Sequence, residues 1–312
     1  MTIDTVFFAH LAKSFAITAP ILVVLALGAV FRQKRWVDGH FVEIGNRLLF
    51  NVCMPSLLFL ATASKPLSKN EDLPLALFGV AATLVVVTLL WFVSPLIVGR
   101  EKRGEFVQCS FRSNMGMIGI ALCLNAYGED VLARAGIFAA AMIVSYNILS
   151  IIVLTSKRNQ VLRNLARNPL LIGILAGIAW QQLRLPMPVV LESSVGYLAR
   201  MALPLALICI GASLEWRTLK SVRADVLWAT AFKMLILPAG ITAAAIYRGF
   251  SGEDLGILFL MVGAPTAMVA FVMAREFSPR SDMTAEVIAL TTILMPVTVT
   301  VGLAILSAYG LI

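Results

Sequence analysis

The run Ser113-Asn114-Met115-Gly116-Met117-Ile118-Gly119 sets a side-chain amide among residues that weaken a helix, inside an apolar stretch. Gly263-Ala264-Pro265-Thr266 interrupts another stretch with a proline. Proline lacks the backbone donor and frees a carbonyl in the preceding turn. At membrane depth such unwound backbone is tolerated only where it is buried in protein or lines a cavity. Two helices broken at one place would aim their half-helix N-termini, with free N–H groups and partial positive charge, into one cavity. The chemistry is non-covalent capture of an anion. The competing reading is that Gly116, Gly119 and Gly263 permit close helix packing and Pro265 only kinks its helix; the two breaks taken together favour the site.

Charged and amide side chains at depth add to it. Lys233 lies about 15 Å from either end of its apolar stretch, at 1.5 Å per residue. It could neutralise a substrate carboxylate, donate to unwound carbonyls or exchange a proton, and the sequence leaves all three open. Arg47, Arg112 and Arg200 lie nearer span ends, where snorkelling accounts for them. Arg112, one residue before Ser113, is also a candidate for substrate binding, since an intramembrane cation is a functional hypothesis by default. Asn51, Asn114 and Asn147 offer amides able to donate to a carboxylate or to ligate Na⁺ through oxygen. Interhelical hydrogen bonding explains any one of them as well. The candidate site is therefore Asn51, Arg112, Asn114, Met115, Gly116, Asn147, Lys233, Pro265 and Thr266.

The elements that must position these residues follow from composition. Of 312 residues 60% are apolar and 13% charged, against about 45–50% and 25% in soluble domains. Ten apolar runs read as helices near 14–31, 42–63, 73–98, 106–127, 131–155, 169–184, 193–214, 224–247, 255–274 and 284–309. They lack the period-2 alternation of an outer-membrane barrel. The class is all-α integral membrane. The net charge of +8 is a matter of topology: the loops after spans 1, 3, 5, 7 and 9 hold 15 basic residues and the other face holds 6. The positive-inside rule then puts both termini outside the cytoplasm.

Sliding the chain on itself by 149 residues without a gap sets Pro20 on Pro169, Gly28 on Gly177, Pro55 on Pro204, Asn114 on Gly263, Gly116 on Pro265 and Asn147 on Pro296. This reads as two five-span repeats, 1–155 and 156–312. An odd number of crossings makes them inverted, an architecture common in secondary transporters.

Asn114-Met115-Gly116-Met117-Ile118-Gly119, Asn168-Pro169-Leu170, Leu203-Pro204-Leu205-Ala206-Leu207, Gly211-Ala212-Ser213-Leu214, Lys233 with Pro238, Pro265 and Pro296, in this order and spacing, resemble the auxin efflux carrier family, including its bacterial malonate- and malate-permease-like members. The resemblance covers nearly the whole chain. It implies a multi-pass protein of the bacterial inner membrane with spans 4 and 9 broken and crossing. It also implies elevator-type alternating access, with spans 3–5 and 8–10 moving against a scaffold of spans 1, 2, 6 and 7, a homodimer, and transport of organic anions such as malonate, malate or auxin. One departure is Ala121, where family members carry a proline.

Other classes fare worse. No HExxH, intramembrane aspartate pair or serine with a base is present, and His10 and His40 lie outside the spans, so enzyme chemistry is not expected. The four cysteines lack metal or disulfide spacing. No cofactor, structural metal or nucleic acid is expected. The partners expected are a small organic anion, the lipid bilayer, a second copy of the chain, and H⁺ or Na⁺ as coupling ion. The alternative reading is a channel or a transporter-like membrane sensor of organic anions.

Overall fold

The computed structural model describes residues 3–64, 72–154, 167–213, 223–277 and 282–312. Lys65, Lys69, Lys157, Arg158, Arg163, Arg217, Lys220 and Arg280, on which much of the charge asymmetry rests, lie outside the described residues.

The described residues are helical and contain no strand, only one isolated bridge between Ser113 and Thr266. α1 (Ile3–Gln33) is apolar all round, as a helix in lipid must be. α2 (Gly39–Leu48) starts at Asp38, whose side chain accepts from the Phe41 N–H at 2.8 Å. It passes through a π-helical turn, Leu49–Cys53, into α3 (Met54–Ser64). Pro55 explains the wide turn: it has no N–H for the Asn51 carbonyl, and the ladder slips by one residue, with Met54 N–H donating to Leu49 O. α4 (Asp72–Val93), the pair α5 (Arg103–Phe111) and α6 (Ile120–Tyr127), and α7 (Leu132–Leu154) follow.

The second half holds α8 (Pro169–Gln182), α9 (Val189–Ser213), α10 (Ala224–Ala231), α11 (Leu237–Tyr247), α12 (Gly252–Gly263), α13 (Met268–Phe277) and α14 (Asp282–Ala308). α10 and α11 are joined by a π-helical turn, Phe232–Ile236, just before Pro238. Among the described residues seven segments are long and apolar enough to cross a membrane. The other three expected spans are α8, with 14 residues, and the two runs that break, 106–127 and 255–274. A break divides one crossing into two short helices, so length alone does not reveal it.

α1 lies on α9, and α3 on α8. These approaches are close enough to exclude side chains: a Cβ at Gly28 would overlap the Ile208 carbonyl, one at Gly211 the Leu25 carbonyl, and one at Gly177 would crowd the Phe59 carbonyl. α5 packs against α7, α10 and α14, and α10 against α14, with α4 against α7 and α12 between α6 and α11. Phe106, Phe138, Met115, Ile118, Leu258 and Met261 are buried at the heart of this group, next to the two breaks.

Candidate functional site

The first break opens after Phe111. Arg112 is extended (φ −78°, ψ 97°), and helix resumes at Met115 in a π-helical turn, Met115–Gly119. The glycines expected to unwind this span therefore lie in the wide turn, and the extended residues are those just before them. No side chain caps the turn, whose first N–H groups, of Met115, Gly116 and Met117, precede the first ladder bond from Ile118 N–H to Asn114 O at 3.0 Å. Met115 and Gly116 are buried. Buried donors ordinarily find a partner, which marks this turn as a place for an acceptor.

The second break opens at Ala264 (φ −60°, ψ 147°), and helix resumes at Met268. The breaks cross as a minimal antiparallel pair: Asn114 N–H donates to Pro265 O at 2.7 Å and Ala267 N–H to Arg112 O at 3.0 Å. Such a bridge is locally two-fold and sets Ser113 opposite Thr266. They are 153 residues apart, not the 149 of the ungapped alignment, which placed Asn114 on Gly263. The difference is four residues, about one helical turn, which returns the chain to nearly the same helix face.

Side chains finish the crossing. Thr266 Oγ1 donates to Cys109 O at 2.9 Å, and Thr266 N–H donates to Thr291 Oγ1 at 3.1 Å. That second bond takes the donor which, in an unbroken helix, would reach Val262 O four residues back. The orphaned Val262 carbonyl instead accepts from Lys233 Nζ at 2.6 Å and Ser113 Oγ at 3.0 Å. Lys233 is 1% exposed. Its geometry is that of a donor to a carbonyl at the break, the second of the three roles open from sequence.

Arg112 anchors the first break to α7. Its Nη1 donates to Tyr146 O at 3.1 Å and Ser150 Oγ at 2.7 Å, its Nη2 to Asn147 Oδ1 at 2.6 Å, and its buried Nε has no hydrogen-bond partner. The side chain is buried within the bundle, so snorkelling does not describe it. Among the described residues neither Arg112 nor Lys233 forms an ion pair. Two cations thus stand at the crossing with dipoles, and no carboxylate, as partners.

All the candidates but Asn51 meet here: Arg112, Asn114, Met115, Gly116 and Asn147 on one side, Lys233 with Pro265 and Thr266 completing it on the other, although Asn147 enters through Arg112. Asn51 stands apart on the π-helical turn of the second span, exposed, its Nδ2 donating to Arg47 O at 2.7 Å. Ser113, Ser150 and Thr291 were missed as polar contacts, because a hydroxyl in an apolar run more often bonds its own helix. Glu105 was missed as well. It sits at the edge of an apolar run, yet it is 3% exposed and its Oε1 accepts from Thr284 N–H at 3.0 Å and Thr284 Oγ1 at 2.7 Å, at the start of α14.

Comparison with known proteins finds membrane transport proteins. Residues 155–303 match the family described as membrane transport protein. An uncharacterized transporter of Methanothermobacter thermautotrophicus is 25% identical over 280 residues, 88% of this chain and 92% of its own length. A Rhizobium meliloti protein named "Putative malonate transporter" is 24% identical over 307 residues, 93% and 95% of the two chains. Auxin efflux carrier component 2 of Arabidopsis thaliana is 30% identical over 147 residues, 45% of this chain and 23% of its own length. With helices long and apolar enough to cross a membrane, the chain is similar along nearly its full length to proteins named as transporters, and over 147 residues to an auxin efflux carrier.

Proposed function

We propose that the protein is a secondary carrier of small organic anions, binding a carboxylate such as malonate at the crossing of the two broken helices. The observation that carries this reading is the crossing itself: uncapped N–H groups at the buried residues Met115 and Gly116, beside two cations, Arg112 and Lys233, without a carboxylate partner. Fixed positive charge in a dry site favours an anionic ligand. The name of the Rhizobium relative points to the same substrate class.

The carrier has ten spans in two inverted repeats, 1–155 and 156–312. Its support lies in the contacts between the halves. Gly28 meets the Ile208 carbonyl and Gly177 meets the Phe59 carbonyl; Gly28 and Gly177 are 149 apart, and so are Phe59 and Ile208. Each half therefore docks on the other through the same contact. α1, α2, α3, α8 and α9 pack on one another, with α1 also along α14 and α3 against α7; we read them as a scaffold and the helices around the breaks as a moving body, working by elevator-type alternating access. Both termini lie outside the cytoplasm, the protein sits in the inner membrane as a homodimer, and H⁺ or Na⁺ couples uptake against a gradient.

Counterflow by purified protein in liposomes tests the reading. Liposomes loaded with unlabelled malonate should take up labelled malonate transiently above equilibrium, with saturation. Uptake that tracks the gradient without counterflow would make the protein a channel, and binding without flux would make it a sensor.

A further inference from the structure

The 149-residue offset also fixes which helices should meet alike. Adding 149 to 3–33 gives 152–182, which holds α8, and subtracting it from 282–308 gives 133–159, which holds α7. Within the five-helix group the match holds, since α1 lies on α9 as α8 lies on α3. Contacts from that group to the helices around the breaks do not match. α1 runs along α14 and is bonded to it through side chains, whereas among the described residues no side-chain hydrogen bond joins α8 to α7. α3 packs on α7, yet α9 has no comparable packing on α14. Two inverted halves meet a body held between them equally only where it is centred. This body is displaced toward one face.

The bonds identify the face. Thr18 and Thr300, both buried, share a hydrogen bond with 2.6 Å between their hydroxyl oxygens. Two turns away His10 Nδ1 and Ser307 Oγ are hydrogen-bonded at 2.7 Å. The step from His10 to Thr18 runs forward on α1 and that from Ser307 to Thr300 runs back on α14, so the pairs lie on one antiparallel seam. Beside it Asn125 Nδ2, in the last turn of α6, donates to Ile17 O. All three bonds lie where α1 begins and α14 ends, toward the face of both chain termini. Other meetings of the two groups are apolar, such as Leu58 over Gly136 and Leu170 over Gly116. An aliphatic side chain over glycine can slide, while a hydrogen bond must break. An interhelical hydrogen bond in a membrane protein shifts an equilibrium by about threefold. Three of them favour the closed arrangement by about twentyfold and still let it open.

We propose that this seam is the gate that shuts the carrier on the face of the chain termini, and that α14 and α6 part from α1 at His10 and Thr18 whenever the site turns to that face. This rests on the carrier reading. The test uses Thr18→Cys with Thr300→Cys in the full chain, because hydroxyls 2.6 Å apart put the two Cβ atoms close to the range a disulfide spans. The variant is reconstituted in liposomes and oxidised with iodine, a small apolar oxidant that enters the bilayer. The two introduced thiols should disappear while the four native cysteines, all buried, stay free. Malonate counterflow should fall at least tenfold on oxidation and return with a reductant. Each single variant, oxidised alike, should keep it.

Counterflow that persists in the oxidised pair would show that α1 and α14 need not part, and overturns the proposal. A pair with a parent-like melting temperature whose introduced thiols stay free overturns it too, since the seam is then absent in the bilayer. Should that pair not fold, His10→Cys with Ser307→Cys, bridged by a bifunctional methanethiosulfonate, is read in the same way. A parent without counterflow defeats the carrier reading and this gate with it, whereas parent counterflow that the bridge leaves unchanged removes this proposal alone.

Discussion

Replacing Lys233 by methionine removes the ammonium while keeping an unbranched stem of similar length in a site that is 1% exposed. Two effects on folding oppose each other. The Val262 carbonyl loses a charged donor at 2.6 Å, a bond of about 1.5–3 kcal/mol. It keeps Ser113 Oγ at 3.0 Å, so no acceptor is orphaned. Against that loss, the variant no longer buries an ammonium without a carboxylate partner, and taking such an ion out of water costs on the order of several kcal/mol. Stability should therefore stay within about 2 kcal/mol of the parent, with either sign. Binding has no such compensation. For a carboxylate held about 8 Å from Nζ at an effective dielectric near 20, the lost attraction is about 2 kcal/mol, or roughly 30-fold in affinity. The assay is malonate counterflow with Lys233→Met and Lys233→Arg, together with melting temperatures in detergent. Lys233→Arg keeps the charge but not the ability to deprotonate, so activity in Arg and its loss in Met assigns an electrostatic role. Parent-like kinetics in Lys233→Met would refute the reasoning, leaving Lys233 as a helix-break donor without influence on the substrate.

Three further outcomes are expected. Pro265→Ala and Asn114→Ala should each lower counterflow at least tenfold with little change in melting temperature, since restoring helix closes backbone donors without exposing polar surface; a well-folded Pro265→Ala with normal kinetics would show that the second break binds nothing. Gly211→Ala forces a Cβ onto the Leu25 carbonyl between α1 and α9 and should cost about 1–3 kcal/mol, seen as a lower melting temperature, while Gly240→Ala, open on all sides, should not. Cysteines introduced near Lys65 or Lys69 should label in intact cells, and one near Arg163 only after permeabilisation; the reverse pattern would invert the topology.

Helix class and the location of both breaks were legible in the sequence because each depends on local chemistry. Apolar runs of span length have few folding options in lipid, and Pro55, Pro238 and Pro265 disturb the backbone wherever the chain goes. The 149-residue offset rests on helix breakers as well. The partners were not. Val262 has no side-chain feature that marks it, yet its carbonyl joins Lys233 to Ser113 because the break takes Thr266 N–H to Thr291 instead. Arg112 looked like a residue near a span end; only the approach of α7 supplies Tyr146, Asn147 and Ser150 and turns it inward. The four-residue change of register at the crossing was invisible as well, because one extra helical turn leaves the hydrophobic pattern almost unchanged. Sequence thus determined what each segment is, through backbone chemistry that acts within a few residues. Which carbonyl meets which cation was decided by tertiary structure alone, since those bonds join residues that only the crossing of two helices brings within reach.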